Sequence, residues 1–198
     1  MNRSLLAFLL AAPMYASVTC MQADDVTRNG TWKLSGANST AGTCVGGTRP
    51  YHYVISNDGE DPATLDRMVQ AVFNDAWLGD KILYKAGQTF IHGYAGGPHI
   101  TRRPGTGKLI VTTTEEAKLP SDGTRITPAY APLTATFLAR GSKAATKHGA
   151  PIFVLTGGPR SADHIEFRGL RFLYKCEDDC FSFELNGGLL NMRRLPSR

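Results

Sequence analysis

A single stretch of the sequence repeats its apolar residues with the period of an α-helix, and this narrows the folds open to the chain. The apolar side chains of this stretch are Leu65, Met68, Val69, Val72, Phe73 and Trp77. Asp61 is predicted as the N-cap, Pro62 as the first helical residue and Gly79 as the stop, which places the helix over residues 62–78. The pattern predicts no second long amphipathic helix.

The other apolar segments are short runs of β-branched and aromatic residues that are separated by turns. They cover residues 51–56, 81–85, 89–91, 108–113, 152–155, 164–167, 170–173 and 181–185. Runs of this length and composition predict β-strands. Because no second long amphipathic helix lies between the runs after residue 80, the pattern argues against a βαβ architecture and leaves a sandwich, a barrel or a solenoid of strands.

The N-terminus has the pattern of a secretory signal peptide. Arg3 precedes an apolar stretch over residues 4–12, which matches the apolar region of a signal peptide and is too short to span a membrane. We therefore predict a signal peptide over residues 1–23, with cleavage near Ala16 or near Ala23. The predicted location is secreted or periplasmic, with no transmembrane segment beyond the signal peptide.

Four cysteines in an exported chain predict disulfide bonds, and three pairings of Cys20, Cys44, Cys176 and Cys180 are open. Cys176 and Cys180 are a candidate pair if the chain turns between them, because a straight strand would hold their Cα atoms too far apart. A zinc site there is the weaker alternative, since it would need two further ligands. Lipid attachment through Cys20 is an alternative to simple cleavage.

The chain is mildly basic, with a net charge of +5. Its basic residues are scattered, with pairs only at residues 102–103 and 193–194, and aromatic residues do not interleave with them. This pattern argues against nucleic acid as a partner. A polyanion such as an acidic polysaccharide is the functional alternative to ordinary solubility charge.

The order of elements around the helix resembles the opening of a known family. A strand over residues 51–56 is followed by the turn 57–59, the helix, and then Gly79 and Asp80, which lead into the run 81–85. This order resembles the pectin-lyase-like right-handed parallel β-helix proteins, in particular their secreted bacterial members. In that family the helix caps the end of the coil and the Gly-Asp pair begins the first rung.

Two later blocks carry the same resemblance. Residues 109–113 with 119–131 are similar to an early insertion of the bacterial members, and residues 164–172 are similar to their repeated rung phrase. The resemblance covers about residues 51–185. It implies an all-β fold, a right-handed parallel β-helix or solenoid with an N-terminal capping α-helix.

The expected organisation has three parts. They are a signal peptide over residues 1–23, an irregular segment over 24–50, and the N-terminal part of a β-helix domain over 51–198. Because no cap is evident in the last residues, we expect the domain to be truncated at its C-terminus.

The resemblance implies a carbohydrate-active protein of the polysaccharide lyase or hydrolase type, present as an N-terminal fragment that lacks catalytic rungs. The alternative is a non-catalytic β-helix module for surface display or glycan binding. Family members that cleave acidic polysaccharides use Ca²⁺, and here the acidic residues 177–179 with Lys175 or Arg171 are the candidates for such a site. A solvated turn is the more ordinary interpretation of that cluster.

No catalytic residue is assigned from the sequence. His164, predicted to point inward, and His92, His99 and His148, predicted to be exposed, lack an evident nucleophile and orienting acid. Paired carboxylates for glycoside hydrolysis cannot be assigned without the strand register.

Overall fold

The computed structural model describes residues 18–22, 25–35, 39–46, 48–59, 61–91, 98–121, 123–141, 152–155, 163–176 and 190–192. One α-helix, α1, spans Pro62–Asp75, and two 3₁₀ helices span Glu116–Lys118 and Pro128–Leu133. The strands are β1 Val18–Gln22, β2 Asp25–Leu34, β3 Gly42–Val45, β4 Tyr51–Ile55, β5 Lys81–Tyr84, β6 Thr89–Phe90, β7 His99–Ile100, β8 Leu109–Thr113, β9 Ala135–Gly141, β10 Phe153–Leu155, β11 Ile165–Phe167, β12 Leu170–Cys176 and β13 Leu190–Met192.

The strands form three sheets. A seven-stranded sheet has the order β11-β8-β5-β4-β1-β2-β3, and two three-stranded sheets have the orders β13-β10-β7 and β12-β9-β6. In the large sheet, the neighbouring strands β4, β5, β8 and β11 pair in parallel. The strands of both smaller sheets also pair in parallel. In contrast, β1 pairs antiparallel with both β2 and β4, and β2 pairs antiparallel with β3. The large sheet is therefore mixed.

The fold class predicted from the sequence, an all-β right-handed parallel β-helix or solenoid with a capping helix, is wrong. The mixed sheet overturns it, since parallel and antiparallel strands share one sheet and the described residues form no solenoid. The physical reason lies before residue 50, where the chain supplies β1, β2 and β3. Of these, β1 pairs with the edge of β4, which would otherwise be open, and β2 and β3 extend the sheet beyond β1.

Helix α1 begins where the sequence predicts and ends earlier. The Asp61 carboxylate accepts hydrogen bonds from the backbone N–H groups of Ala63, at 3.0 Å, and Thr64, at 3.1 Å. The helix ends at Asp75, and Ala76 is already extended, so Trp77 leaves the apolar face and is 43% exposed. The apolar period of the sequence therefore continues past the last helical turn.

Aromatic side chains from several elements form the centre of the core. Tyr84 of β5 lies 4.9 Å from Phe90 of β6 and 4.8 Å from Phe137 of β9, measured between ring centroids. Phe137 in turn lies 5.2 Å from Phe153 of β10, and Phe73 of α1 contacts Phe153 at 5.8 Å. Since these edge-to-face contacts join the helix to strands of all three sheets, the elements share one hydrophobic core.

The N-terminal strands are covalently joined. Cys20 of β1 is bonded to Cys44 of β3, with a Cα–Cα distance of 6.0 Å. Residues 18–22, which the sequence analysis included in the signal peptide, thus form part of a sheet, and the expected irregular segment contains β2 and β3. Within the described residues, no helix is both long and apolar enough to cross a membrane.

Candidate functional site

A cleft of about 250 Å³ lies between the segment 116–126 and the residues that end β11. One part of its wall is apolar and is formed by Leu119, Ile126 and Phe167. Another part carries the hydroxyl groups of Ser121 and Thr124, which lie 3.3 Å apart. The cleft therefore presents apolar and hydrogen-bonding surface to the same small volume.

A hydrogen bond joins the two ends of the connection between β8 and β9, which contains the residues over the cleft. The Thr113 hydroxyl, at the end of β8, donates to the Leu133 carbonyl, shortly before β9, at 2.8 Å. Gly169 follows β11 in the left-handed region, at a φ of 59°. A Cβ atom on Gly169 would lie 2.3 Å from Leu119 Cδ1, so the glycine is what lets Leu119 close on the sheet.

Five charged side chains form a row beside the cleft, which we call the charge ladder: Lys108, Glu166, Arg168, Glu116 and Lys81. Lys108 Nζ donates to Glu166 Oε2 at 2.9 Å, and Arg168 Nε donates to Glu166 Oε1. Arg168 Nη1 lies 3.5 Å from Glu116 Oε1, while Lys81 Nζ donates to Glu116 Oε2 at 2.7 Å. Three cations alternate with two carboxylates, so the ladder has an excess of positive charge.

Glu116 and Arg168 belong both to the ladder and to the wall of the cleft. Hydrogen bonds from Arg168, and then from Lys108, lower the pKa of Glu166 from 4.5 to about 2. Glu166 is therefore ionised at neutral pH and is unsuited to act as a general acid there. The ladder residues in the wall, Glu116 and Arg168, have opposite charges, and the positive excess lies on Lys81 and Lys108 beside the cleft.

A second polar cluster lies where α1 ends and β5 begins. The Asp80 carboxylate is 1% exposed and accepts hydrogen bonds from the backbone N–H of Tyr51 at 2.7 Å and of Trp77 at 2.8 Å. It also accepts from Arg49 Nη1, and the Arg49 guanidinium stacks on the rings of Tyr51 at 4.9 Å and Trp77 at 4.7 Å. Burial raises the pKa of Asp80.

Asp75 completes this cluster. Tyr53 donates its hydroxyl to Asp75 Oδ2 at 2.9 Å, and Arg49 Nη2 donates to the Asp75 carbonyl at 2.6 Å. Burial, together with the nearby Asp75 charge, raises the pKa of Tyr53. Because these bonds join the end of α1 to β4 and to Arg49, the cluster fastens the helix to the sheet. Its polar atoms are occupied by one another, which favours a structural role.

The guanidinium of Arg103 is buried but, unlike that of Arg49, is not fully hydrogen-bonded. Within the described part of the chain, its Nε and Nη2 atoms are buried without a hydrogen-bond partner, and burial lowers the pKa of the guanidinium. A buried cation with unpaired donors costs stability. Arg103 does not line the cleft.

The residues predicted as sites fall in two groups. Cys176 is the last residue of β12, whereas Cys180 and the acidic residues 177–179 lie outside the described residues. The candidate Cys176–Cys180 pair and the calcium and zinc alternatives thus stay predictions. Among the residues that the structure describes, no group of three or more His, Cys, Asp and Glu side chains could hold a metal ion.

The histidines are not brought together in the described ranges. His99 lies exposed on β7, and His92 and His148 lie outside the described residues. His164, predicted to point inward, is exposed instead, and its Nδ1 lies 3.7 Å from Asp163. The local sequence pattern predicts neither the cleft nor the charge ladder, because both depend on the strand register.

Searches with family models, against curated proteins and against solved structures find no match to this chain. The resemblance to pectin-lyase-like proteins therefore stays a prediction that rests on the residues quoted for it.

Proposed function

We propose that this chain is an exported protein that binds glycans, and that the cleft under the segment 116–126 receives the sugar. The observation that carries the proposal is the composition of the cleft, where apolar side chains and hydroxyl groups line the same volume. A sugar ring presents C–H faces and hydroxyl groups side by side, so it matches a surface of that kind.

The size and charge of the cleft narrow the ligand. A volume of about 250 Å³ is below the usual range of pockets for drug-sized ligands, so one sugar ring or a chain end fits better than a buried oligosaccharide. The positive excess of the charge ladder favours a sugar that carries a carboxylate. We therefore propose acidic saccharides as the preferred class.

We propose binding without turnover as the form of the function. Glu166, a ladder carboxylate next to the cleft, is held ionised by two cations and is therefore no general acid at neutral pH. Lyase or hydrolase activity stays a prediction, and incubation with acidic and neutral polysaccharides, followed by analysis for shortened products, tests it. Release of products would replace the binding proposal with an enzymatic one.

Titration calorimetry tests the binding proposal. The ligands are galacturonate and glucuronate, with galactose and glucose as their uncharged counterparts. We expect the acids to bind with dissociation constants of about 1 mM or below, which corresponds to about −4 kcal/mol, and to bind more weakly when salt is raised. Equal binding of acids and neutral sugars would contradict the acidic class. No binding of any of the four would remove the proposal.

Two matched variants locate the site. Ile126 lines the cleft and is 41% exposed, whereas Val45 is 54% exposed on β3 and does not line it. We expect Ile126→Ala to weaken the binding of the acidic sugars about 3- to 10-fold, since it removes about 1 kcal/mol of contact. Val45→Ala should leave binding unchanged. If both variants bind like the parent protein, the sugar occupies another surface.

A further inference from the structure

Strand β1 lies in the interior of the large sheet. It is paired on one side with β2 and on the other side with β4. Its register with β4 runs without interruption from Val18 opposite Ile55 to Gln22 opposite Tyr51. All of its residues thus have a partner on β4, and removal of β1 would turn β4 into an edge strand.

The side chains of β1 are part of the core. Cys20 is fully buried and Val18 is 9% exposed, and their partners on β4, Tyr53 and Ile55, are fully buried as well. The sulfur of Cys20 is bonded to Cys44. Backbone pairing along all five residues, the burial of Val18 and Cys20, and the Cys20–Cys44 bond therefore hold β1 in the folded protein.

These contacts decide between the two cleavage regions that the sequence leaves open. Cleavage after Ala23 would remove β1, expose the apolar side chains of β4 and leave Cys44 without its partner. Cleavage near Ala16 would keep all of these contacts. We infer that the signal peptide is removed on the N-terminal side of Val18, by hydrolysis of the Ala16–Ser17 bond, so that β1 stays in the mature protein.

The cleavage step consumes one water molecule. The peptide bond between Ala16 and Ser17 breaks, the leader ends in a new carboxylate on Ala16, and the mature chain begins with a new α-amino group on Ser17. Ala16 supplies the small residue immediately before the cut, the second of the two small positions in an A-x-A-like cleavage site, whereas Met14 occupies the first. One residue then precedes Val18, the first residue of β1.

The same contacts argue against lipid attachment at Cys20. A lipoprotein would carry a thioether on the Cys20 sulfur and would begin at that residue, which removes Val18 and Thr19 from β1. The sulfur is already committed to Cys44. Cys20 therefore lies inside the mature chain as a disulfide-bonded residue. The proposed cleavage site depends on the predicted export and not on glycan binding.

The direct experiment is export of the full chain with its own leader from a bacterium, with an affinity tag at the C-terminus. The intact mass and N-terminal sequencing of the exported protein then locate the cut. We expect the chain to begin at Ser17 or within a few residues before it, and peptide mapping without reduction to recover Cys20 linked to Cys44. A chain that begins at Asp24, a lipid-modified Cys20, or a chain that is never cut would overturn the inference.

A second pair of proteins tests the physical reason. Two mature forms, one beginning at Ser17 and one at Asp24, are exported behind the same foreign leader. The Ser17 form should be recovered as a soluble, protease-resistant protein without free Cys44 thiol. The Asp24 form should be recovered in at least 10-fold lower yield and should be cleaved faster by protease, because β4 is left as an edge strand. Equal yield and equal protease resistance would show that β1 is dispensable, which overturns the inference even if glycan binding is found.

Discussion

Gly169 is the residue at which a single added methyl group should disturb the cleft most. The Cβ atom of Gly169→Ala would lie 2.3 Å from Leu119 Cδ1 and 3.1 Å from Thr113 Cγ2, whereas carbon atoms in contact lie about 3.5–4.0 Å apart. Leu119 must therefore move by more than about 1 Å. Because Leu119 Cδ1 is the end of a partly exposed side chain, this costs about 1 kcal/mol, the lower end of the range for overpacking. The left-handed φ of 59° adds about 1 kcal/mol for alanine. We expect the free energy of unfolding to fall by about 2 kcal/mol.

Gly123→Ala is the matched control, because it separates the backbone cost from the steric cost. Gly123 lines the same cleft and also has a positive φ, of 85°, but a Cβ atom there would meet nothing within 4 Å. It should lose only about 1 kcal/mol. Urea denaturation measures both variants, and the slope with urea should not change. If Gly169→Ala is no more destabilised than Gly123→Ala, the steric argument fails.

A double-mutant cycle sharpens the test. Leu119→Ala removes the Cδ1 atom that the new methyl group would strike, so Gly169→Ala should cost less in that background. We expect a coupling free energy of about 1 kcal/mol between the two positions. Strict additivity would mean that Leu119 does not restrict residue 169, and it would refute the packing described for the cleft.

Three further changes probe the other polar groups. Asp80→Ala should lower the free energy of unfolding by about 3–5 kcal/mol in urea denaturation, because it leaves the backbone N–H groups of Tyr51 and Trp77 and the Arg49 guanidinium without their acceptor. A loss below about 1 kcal/mol would contradict this reason. Glu166 has a lowered pKa, so its contribution is present above pH 4.5 and is lost as the pH falls toward about 2. Melting temperatures over that range should fall less steeply for Glu166→Gln, and parallel curves would argue against the ion pairs. Arg103→Met should leave stability unchanged or raise it by about 1 kcal/mol in urea, since it removes unpaired buried donors; a loss of 2 kcal/mol or more would reveal a partner for the guanidinium.

The local elements of the central part of the chain follow from the sequence. The start of α1 is predicted because Asp61, Pro62 and the apolar period act on neighbouring residues. Its end is not predicted, since the apolar period continues to Trp77. The end of the helix is held by one local and one distant partner, because Asp80, three residues on, accepts the Trp77 N–H and Arg49 stacks on the indole ring. Pairing between segments, which a local pattern does not contain, brings these groups together.

The N-terminal strands were missed for a related reason. β1 has the sequence Val-Thr-Cys-Met-Gln and follows an apolar leader, so local composition assigns it to the signal peptide. β2 contains the Asn29-Gly30 pair, which favours a turn when it is considered alone. Both segments become strands because β1 pairs with neighbours on both sides, and tertiary pairing outweighs local preference. The same pairing makes the sheet mixed, which is why the predicted fold class fails.

The charge ladder could be anticipated only in part, and this limits how its residues should be tested. Strand alternation predicts that Lys81 and Glu166 face away from the core, but only the register places both opposite Ile110. A slip of one residue in either strand would turn its charged side chain inward, so the ladder helps to fix the pairing of β5, β8 and β11. Substitution of a ladder residue would therefore change strand pairing and cleft charge together. Ile126 lies in the cleft and outside the strands, and its substitution reports on ligand contact with less disturbance of the fold.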